Sequence, residues 1–370
     1  MIPDLILLAF AATQGSTGAV VDVAAARRAM SAPSVAASAT RVAQHASQGS
    51  TDAVVRELRV VLSDATLEPA AREWLLESGL HTLRRLPVTP AARGLADELS
   101  AWAPRVYARV EPEHGDQAVP LYDVGAVARY ALREWVRSEA RVSAAQALMT
   151  GKTDALETWL AQDESPRAMA VRDGILDAWR AAKVEQLARQ RTALVAAMRA
   201  GRDADHLALE LARRLRDAEL YSLTIGYAEP AVALAAVQAV ERELDQPTAL
   251  DVLGQAADRE PIASAALLAI GRLSRVDGAG QQMLLDRLSD PVSGNSAAAA
   301  LARIDDPGVT ARLGTRLTEA RDESTRRRVA LALRLNGSPA ARDALGRLIE
   351  SKQGSPDLRK EIAAWLPRGR

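Results

Sequence analysis

Prolines that follow an acidic or helix-capping residue recur through this chain, and they constrain the fold more than any other feature. A proline suits the first turn of a helix because its missing N–H has no partner there, and the residue before it can cap the helix or complement its positive end. Each pair therefore predicts a helix start. The pairs are Glu68-Pro69, Thr89-Pro90, Ser165-Pro166, Glu229-Pro230, Glu260-Pro261, Asp290-Pro291, Asp306-Pro307, Ser338-Pro339 and Ser355-Pro356.

The spacing of these starts becomes regular in the C-terminal part. The interval from Pro230 to Pro261 matches the interval from Pro261 to Pro291 to within one position, and Pro307 follows after about half that interval. The segments AIGRL, ALARI and LALRL, which end at Leu273, Ile304 and Leu335, recur with the same period. A period of this length holding two helix starts predicts helical hairpins that bury their apolar faces against neighbouring hairpins. Such an array is an all-α fold of the α-solenoid (α-α superhelix) type.

The composition favours thin, closely stacked helices. The chain is 48% hydrophobic but only 3% aromatic, so small aliphatic side chains must fill the core. We expect Ala297, Ala298 and Ala300 to lie at such contacts, where enlargement to leucine costs about 1–3 kcal/mol.

The C-terminal part of the chain resembles HEAT-like repeats of the short type named after phycobilisome lyases. The resemblance lies in an acidic-Pro start, an alanine-rich helix with a glycine near its end, here Ala265 to Leu273, and a leucine-rich second helix. It implies a solenoid that binds proteins. We therefore assign residues 226–370 to HEAT-like repeats.

Residues 20–225 are also predicted to form successive helices, but their spacing is irregular. Examples of these helices are STDAVVRELRVVLSD from Ser50 and the long segment from Val124. The pattern does not decide whether this region is one domain or two. A proline-punctuated stretch at about 103–122 breaks the pattern, and its VYARV predicts a short strand or an extended loop.

Residues 1–19 are expected to be a signal peptide. An apolar run from Leu5 to Ala12 precedes small-residue cleavage sites, although Asp4 is atypical of such a leader. This predicts a periplasmic or secreted protein, with a cytoplasmic one as the alternative, and the run is too short to span a membrane.

The sequence contains no recognisable catalytic, metal-binding or nucleotide-binding motif, which predicts a protein that is not an enzyme and needs no cofactor or metal. The chain has no cysteine, and its four histidines lie far apart. The segment TGKT at Thr150 lacks the first glycine of a phosphate-binding loop. Forty-seven basic residues balance 47 acidic ones, so no nucleic-acid partner is expected.

Two residue sets are candidates for binding. The first is Arg287, Arg316 and Arg347, each before a leucine of a second helix. In stacked repeats they would form a ladder of guanidiniums about 10 Å apart that takes carboxylates of a partner. The alternative is a solvated face in which Asp286 and Asp343 are their counter-ions.

The second set is aromatic. Tyr107 and Tyr122 lie beside the extended stretch, in a group with Trp102, Tyr130 and Trp135. Aromatic residues near a loop are typical interface anchors, but they can equally form one bulky core.

Together these observations predict a non-enzymatic scaffold that binds another protein or peptide. The alternative is a DNA-processing enzyme resembling the HEAT-like-repeat DNA glycosylases, which the balanced charge disfavours.

Overall fold

The computed structural model describes residues 19–109, 118–275 and 278–366. Within these ranges the protein is all-α, as expected: 21 helices account for 75% of the chain, beside three short strands. The chain divides into two compact units. The first comprises the residues up to Val142 together with Asp163–Gly174, and the second comprises Ser143–Gln162 together with the residues from Ile175 onward.

The first unit packs its helices around a leucine-rich core. Helices α2, α3 and α4 contact one another, α1 packs on α4, and α5 packs on α3. Leu58, Leu76, Leu80 and Leu99 are buried between them. The helices are α1 (Val23–Met30), α2 (Pro33–Ser47), α3 (Thr51–Ser63), α4 (Pro69–Leu83) and α5 (Pro90–Ser100).

A small sheet completes this unit in the order β1-β2-β3, with strands at Ala19–Val21, Val106–Arg109 and Ala118–Pro120. β1 runs parallel to β2, and β3 runs antiparallel to it. Val106 is buried with Ala26 of α1 and Ala70 of α4, so the sheet rests on these two helices. The segment VYARV thus contains a strand, while residues 110–117 of the predicted extended stretch lie outside the described ranges.

The second unit is a succession of short helices. Two helices, α6 (Val124–Thr150) and α8 (Pro166–Ala181), have residues in both units. The others up to residue 227 are α7 (Asp154–Leu160), α9 (Val184–Ala188), α10 (Arg191–Arg199), α11 (Asp205–Leu215) and α12 (Ala218–Tyr227).

From Pro230 the helices follow one another in pairs, and we call them first and second helices by their place in each pair. The first helices are α13 (Pro230–Glu243), α15 (Glu260–Leu273), α17 (Gly294–Leu301), α19 (Glu323–Asn336) and α21 (Pro356–Trp365). The second helices are α14 (Gln246–Ala256), α16 (Gly278–Arg287), α18 (Pro307–Glu319) and α20 (Pro339–Glu350). Each first helix from α13 to α19 packs on the next first helix, and each second helix packs on the first helix that follows it, as in α17 with α19 or α18 with α19.

Small residues set the distance between the first helices. Ala297, Ala298 and Ala300 of α17 are buried, as expected from the sequence. A Cβ atom added to Gly271 of α15 would lie 3.0 Å from the Cβ of Ala300 and 3.2 Å from its carbonyl oxygen. Helices α15 and α17 therefore meet closely at a point that leaves little room for a side chain.

Eight of the nine predicted proline starts are confirmed, with α15 beginning at Glu260, one residue before its proline. The prediction at Asp290-Pro291 is wrong, because α17 begins at Gly294. The Asp290 carboxylate accepts from the N–H groups of Val292 and Ser293 at 2.8 and 3.0 Å, which closes a separate turn. Arg328 then donates to the Pro291 carbonyl, which keeps that carbonyl out of the helix.

Arginines from one helix cap the carboxyl ends of others, and we call these contacts arginine clamps. Arg259, the residue before α15, donates to the carbonyl oxygens of Ile225 in the last turn of α12 and of Ala228 just after it, both at 2.5 Å. Arg214 does the same for α8, and Arg328 for α16. A guanidinium suits this role because two of its N–H groups reach separate carbonyls at once. The clamps account for part of a basic content of 43 arginines and four lysines.

The predicted signal peptide, residues 1–19, lies outside the described ranges except for Ala19, which begins β1. No helix of the described chain combines the length and the apolar character needed to cross a membrane. The boundaries between the two units all lie before residue 226, where the repeats are predicted to start. The units are defined by compact packing, whereas the boundary at 226 marks where the sequence becomes regular, so that boundary stays a prediction.

Candidate functional site

A groove lies along α19, between α17 and α21, and we call it the α19 groove. It encloses about 320 Å³. Its walls include Asn295 of α17, Arg327, Leu331 and Arg334 of α19, and Glu361 and Trp365 of α21. The three α19 residues are spaced by four and three positions, so they share one face of the helix.

The two ends of α19 are fixed by local sequence. At its start the Asp322 carboxylate accepts from the Thr325 N–H at 2.7 Å. At its end Gly337 adopts a left-handed conformation with φ of 66°, which glycine adopts without steric cost. The start of α21 is tied to α19 because the Ser355 hydroxyl donates to the Glu323 carboxylate at 2.5 Å. These contacts position both walls of the groove.

Side chains at equivalent positions of successive first helices meet one another. Arg272 forms a two-point ion pair with Glu241, with both N–O distances at 2.6 Å. The guanidinium of Arg334 lies over the ring of Trp365, 4.5 Å from its centre. Positions 241, 272, 303, 334 and 365 are evenly spaced and thus form a series, in which Trp365 replaces a charged residue at the end.

The predicted arginine ladder is engaged within the chain at two of its three positions. Arg287 pairs with Asp258 at 2.5 Å, and Arg316 approaches Asp286 at 3.5 Å and the Leu285 carbonyl at 3.3 Å. The third member, Arg347, is exposed on α20. The structure therefore pairs Arg287 and Arg316 with aspartates of the same chain, and one of these, Asp286, is a counter-ion that the alternative interpretation named. The ladder as a binding site stays a prediction.

The aromatic group divides between core and surface. Trp135 is 3% exposed and packs in the core of the first unit, whereas Tyr130 is 40% exposed beneath the guanidinium of Arg84. The Tyr122 hydroxyl donates to the sulfur of Met30 at 2.8 Å. Tyr107 is half-buried in β2, opposite Pro120 of β3.

Two carboxylates of α4 anchor the segments around the sheet. Glu73, 1% exposed, accepts from the Trp102 indole N–H at 3.0 Å and from the Arg105 N–H at 2.8 Å. Glu77 accepts from the Asp123 N–H at 2.9 Å. Burial raises the pKa of the Glu77 carboxyl. Burial also raises the pKa of the Tyr122 hydroxyl, and the nearby charges of Glu77 and Glu73 add to that effect. These contacts give the aromatic segment a structural role in the first unit.

Among the residues that the structure describes, no group of three or more histidine, aspartate or glutamate side chains is arranged to hold a metal ion. Comparison of the chain with protein-family models and with curated proteins finds no match.

Sequence reasoning missed the residues of the α19 groove. Arg334 and Trp365 continue the evenly spaced series that includes Arg272, so the period itself contained the signal. The binding residues were instead expected on the second helices and at Tyr107 and Tyr122. The sequence period shows which helices are equivalent. It does not show which helices line a cavity, because that depends on how the helices pack in three dimensions.

Proposed function

We propose that the chain from Pro230 onward is an α-solenoid of HEAT-like repeats that serves as a non-enzymatic scaffold and binds another protein or peptide. The observation that carries this proposal is a repeated sequence separation between contacting residues. Arg259 bonds to Ala228, Arg272 to Glu241, Arg312 to Gln281 and Arg316 to Leu285, and the separation is 31 in each pair.

A recurring contact separation supports a stack of equivalent hairpins, and other contacts between neighbouring hairpins fall close to it, such as 29 positions for Arg287 with Asp258 and 34 for Asn336 with Ala302. In such a stack each unit meets the next in the same way, so the same sequence separation returns at every interface. The period coincides with the spacing of the HEAT-like sequence pattern. It also includes ion pairs, hydrogen bonds to carbonyls and the contact of Arg334 with Trp365, so it does not depend on one residue type.

The binding role is supported by the exposed face of the first helices. Leu335 of α19 is 56% exposed beside the groove, and Leu234 of α13 is 38% exposed. Trp365 and Arg334, in the groove itself, belong to the residue types most enriched at interface centres. The proposal includes export to the periplasm, which cell fractionation with detection of the full-length and cleaved chains tests.

Hydrogen exchange tests the solenoid. In a linear stack the helices at an end have one neighbour fewer, so α20 and α21 should open at a lower free energy than α13 to α17. Uniform protection of the amides from α13 to α21, with one shared opening free energy, would contradict a stack of this kind.

Photo-crosslinking in native cells tests the scaffold. A photoreactive amino acid replaces Leu335 on the first-helix face, and the matched control replaces Glu350, which is exposed on the second helix α20. We expect a protein adduct at position 335 and none at position 350. Equal adducts at both positions, or none at either, would contradict the proposed binding face.

A further inference from the structure

The α19 groove carries a local excess of positive charge. Its walls contain three arginines, Arg327, Arg328 and Arg334, and one acid, Glu361, which gives a net charge of +2 from three positive and one negative group. The whole chain has a formal net charge of +0. A groove that is basic within a neutral protein favours an anionic occupant.

Two of these arginines have donors available for a ligand. The Arg328 guanidinium is occupied by the carbonyls of Leu288 and Pro291. Arg327 and Arg334 are exposed, and within the described ranges neither forms an ion pair. Arg272, in contrast, is already saturated by both carboxylate oxygens of Glu241.

The contact with Trp365 prepares Arg334 for a carboxylate. In a cation–π contact the attraction acts between the charge and the ring and does not occupy an N–H donor, so the N–H groups of Arg334 can still donate to two oxygens. It also restricts the side chain before a ligand arrives, so less conformational entropy is lost on binding.

We propose that the α19 groove binds an extended acidic segment of a partner protein, with carboxylates on Arg327 and Arg334 and apolar side chains against Leu331 and Trp365. The inference rests on the proposed scaffold function and names the chemistry of its partner.

The spacing of the two arginines fits such a segment. They are seven positions apart on α19, which is about 10.5 Å along a helix that rises about 1.5 Å per residue. In a polyproline II segment, side chains three positions apart share a face and are about 9.3 Å apart. A Glu-x-x-Glu segment therefore reaches both guanidiniums and leaves another row of side chains for the apolar wall.

A peptide fits the groove better than a nucleic acid does. The groove has a net charge of only +2, and its walls contain the apolar Leu331. A nucleic-acid site requires a longer track of cations, because each phosphate contributes to affinity separately. A single-stranded DNA oligonucleotide therefore serves as a competitor in the test.

The test measures fluorescence anisotropy of labelled peptides with the full chain. The probe contains four Glu-Pro-Leu repeats, and the controls replace glutamate with glutamine or lysine. We expect the glutamate peptide to bind at least about tenfold more tightly than either control, because charge-assisted hydrogen bonds exceed neutral ones by this order. Binding should weaken as salt rises.

Variants locate the site on the protein. Arg327→Gln and Arg334→Gln should each weaken binding of the glutamate peptide about tenfold, since each removes a charge-assisted contact, and Trp365→Leu should weaken it less. Arg342→Gln, at an exposed position of α20 outside the groove, is the matched control and should have no effect. Circular dichroism melts verify that each variant keeps its fold, and the peptide comparison on the wild-type chain provides a result that needs no variant.

Three results would overturn the inference: equal binding of the glutamate and glutamine peptides, equal loss with Arg342→Gln, or complete displacement of the peptide by the DNA oligonucleotide at lower concentration. A protein adduct at position 335 with no preference for the glutamate peptide would contradict only this inference. Tight binding of the peptide with no adduct at either crosslinking position would contradict the proposed scaffold face.

Discussion

The arginine clamp at Arg259 yields a quantitative prediction about stability. Its guanidinium donates to the carbonyls of Ile225 and Ala228, both at 2.5 Å, from a half-buried position. The side chains of both partner residues belong to the core, with Ala228 fully buried. Truncation by Arg259→Ala removes both bonds and leaves two carbonyl oxygens with fewer donors.

The expected cost is about 3 kcal/mol, because a hydrogen bond that involves a charged group contributes about 1.5–3 kcal/mol. We take the lower value for each of the two bonds because water partly reaches the site. Arg259→Lys keeps the charge but replaces the planar fork with a point donor, so it should recover about half of the loss.

Urea denaturation followed by far-UV circular dichroism measures this loss, with Arg347→Ala as the exposed control. Amide hydrogen exchange adds a local measurement, because the last turn of α12 should lose protection before the rest of the unit. If Arg259→Ala stays within about 0.5 kcal/mol of the wild type, a value usual for surface substitutions, the clamps are incidental contacts.

Two further predictions concern the helix contacts and pH. Gly271→Leu should destabilise the protein by about 1–3 kcal/mol through overpacking on Ala300. Gly346→Leu is the control and should not destabilise it, because an added Cβ there meets nothing within 4 Å. The urea midpoints of the two variants measure the difference. Asp322→Ala should cost about 1 kcal/mol at pH 7 by removing the cap of α19. Hydrogen bonds from Thr325 and its neighbours lower the pKa of Asp322 from 3.8 to about 2, so its contribution is present above pH 3.8 and lost as the pH falls through about 2. A difference between wild type and Asp322→Ala that persists well below that pH would contradict this assignment.

Most helix starts were predictable because their causes are local. Ser338 and Ser355 each precede a proline and accept from the N–H of the residue three positions further on, at 3.2 Å in both cases. The predicted start at Asp290-Pro291 was wrong because the backbone there is held by a residue that is distant in sequence. Arg328 holds the Pro291 carbonyl from 37 positions away, and no pattern within the turn indicates that contact.

The candidate site was less predictable than the fold. The second-helix arginines Arg287 and Arg316 have the right spacing for a ladder, but each pairs with an aspartate elsewhere in the chain, Asp258 and Asp286 respectively. The sequence contains these acids without showing which arginine each one meets. Trp365 is far in sequence from the aromatic group at 102–135 that was predicted to bind. In the sequence, only its position 31 residues after Arg334 connects it to the groove.

The regular contact period has a consequence for how this chain tolerates changes in length. Excision of the segment 260–290 removes one full period, so Arg303 comes to stand at the distance from Glu241 in sequence that Arg272 occupied before. Excision of a segment one position shorter leaves every later partner out of step. In the proposed solenoid, gain or loss of whole periods is therefore the length change that preserves these contacts, and duplication or deletion of complete hairpins would leave the remaining partners in step.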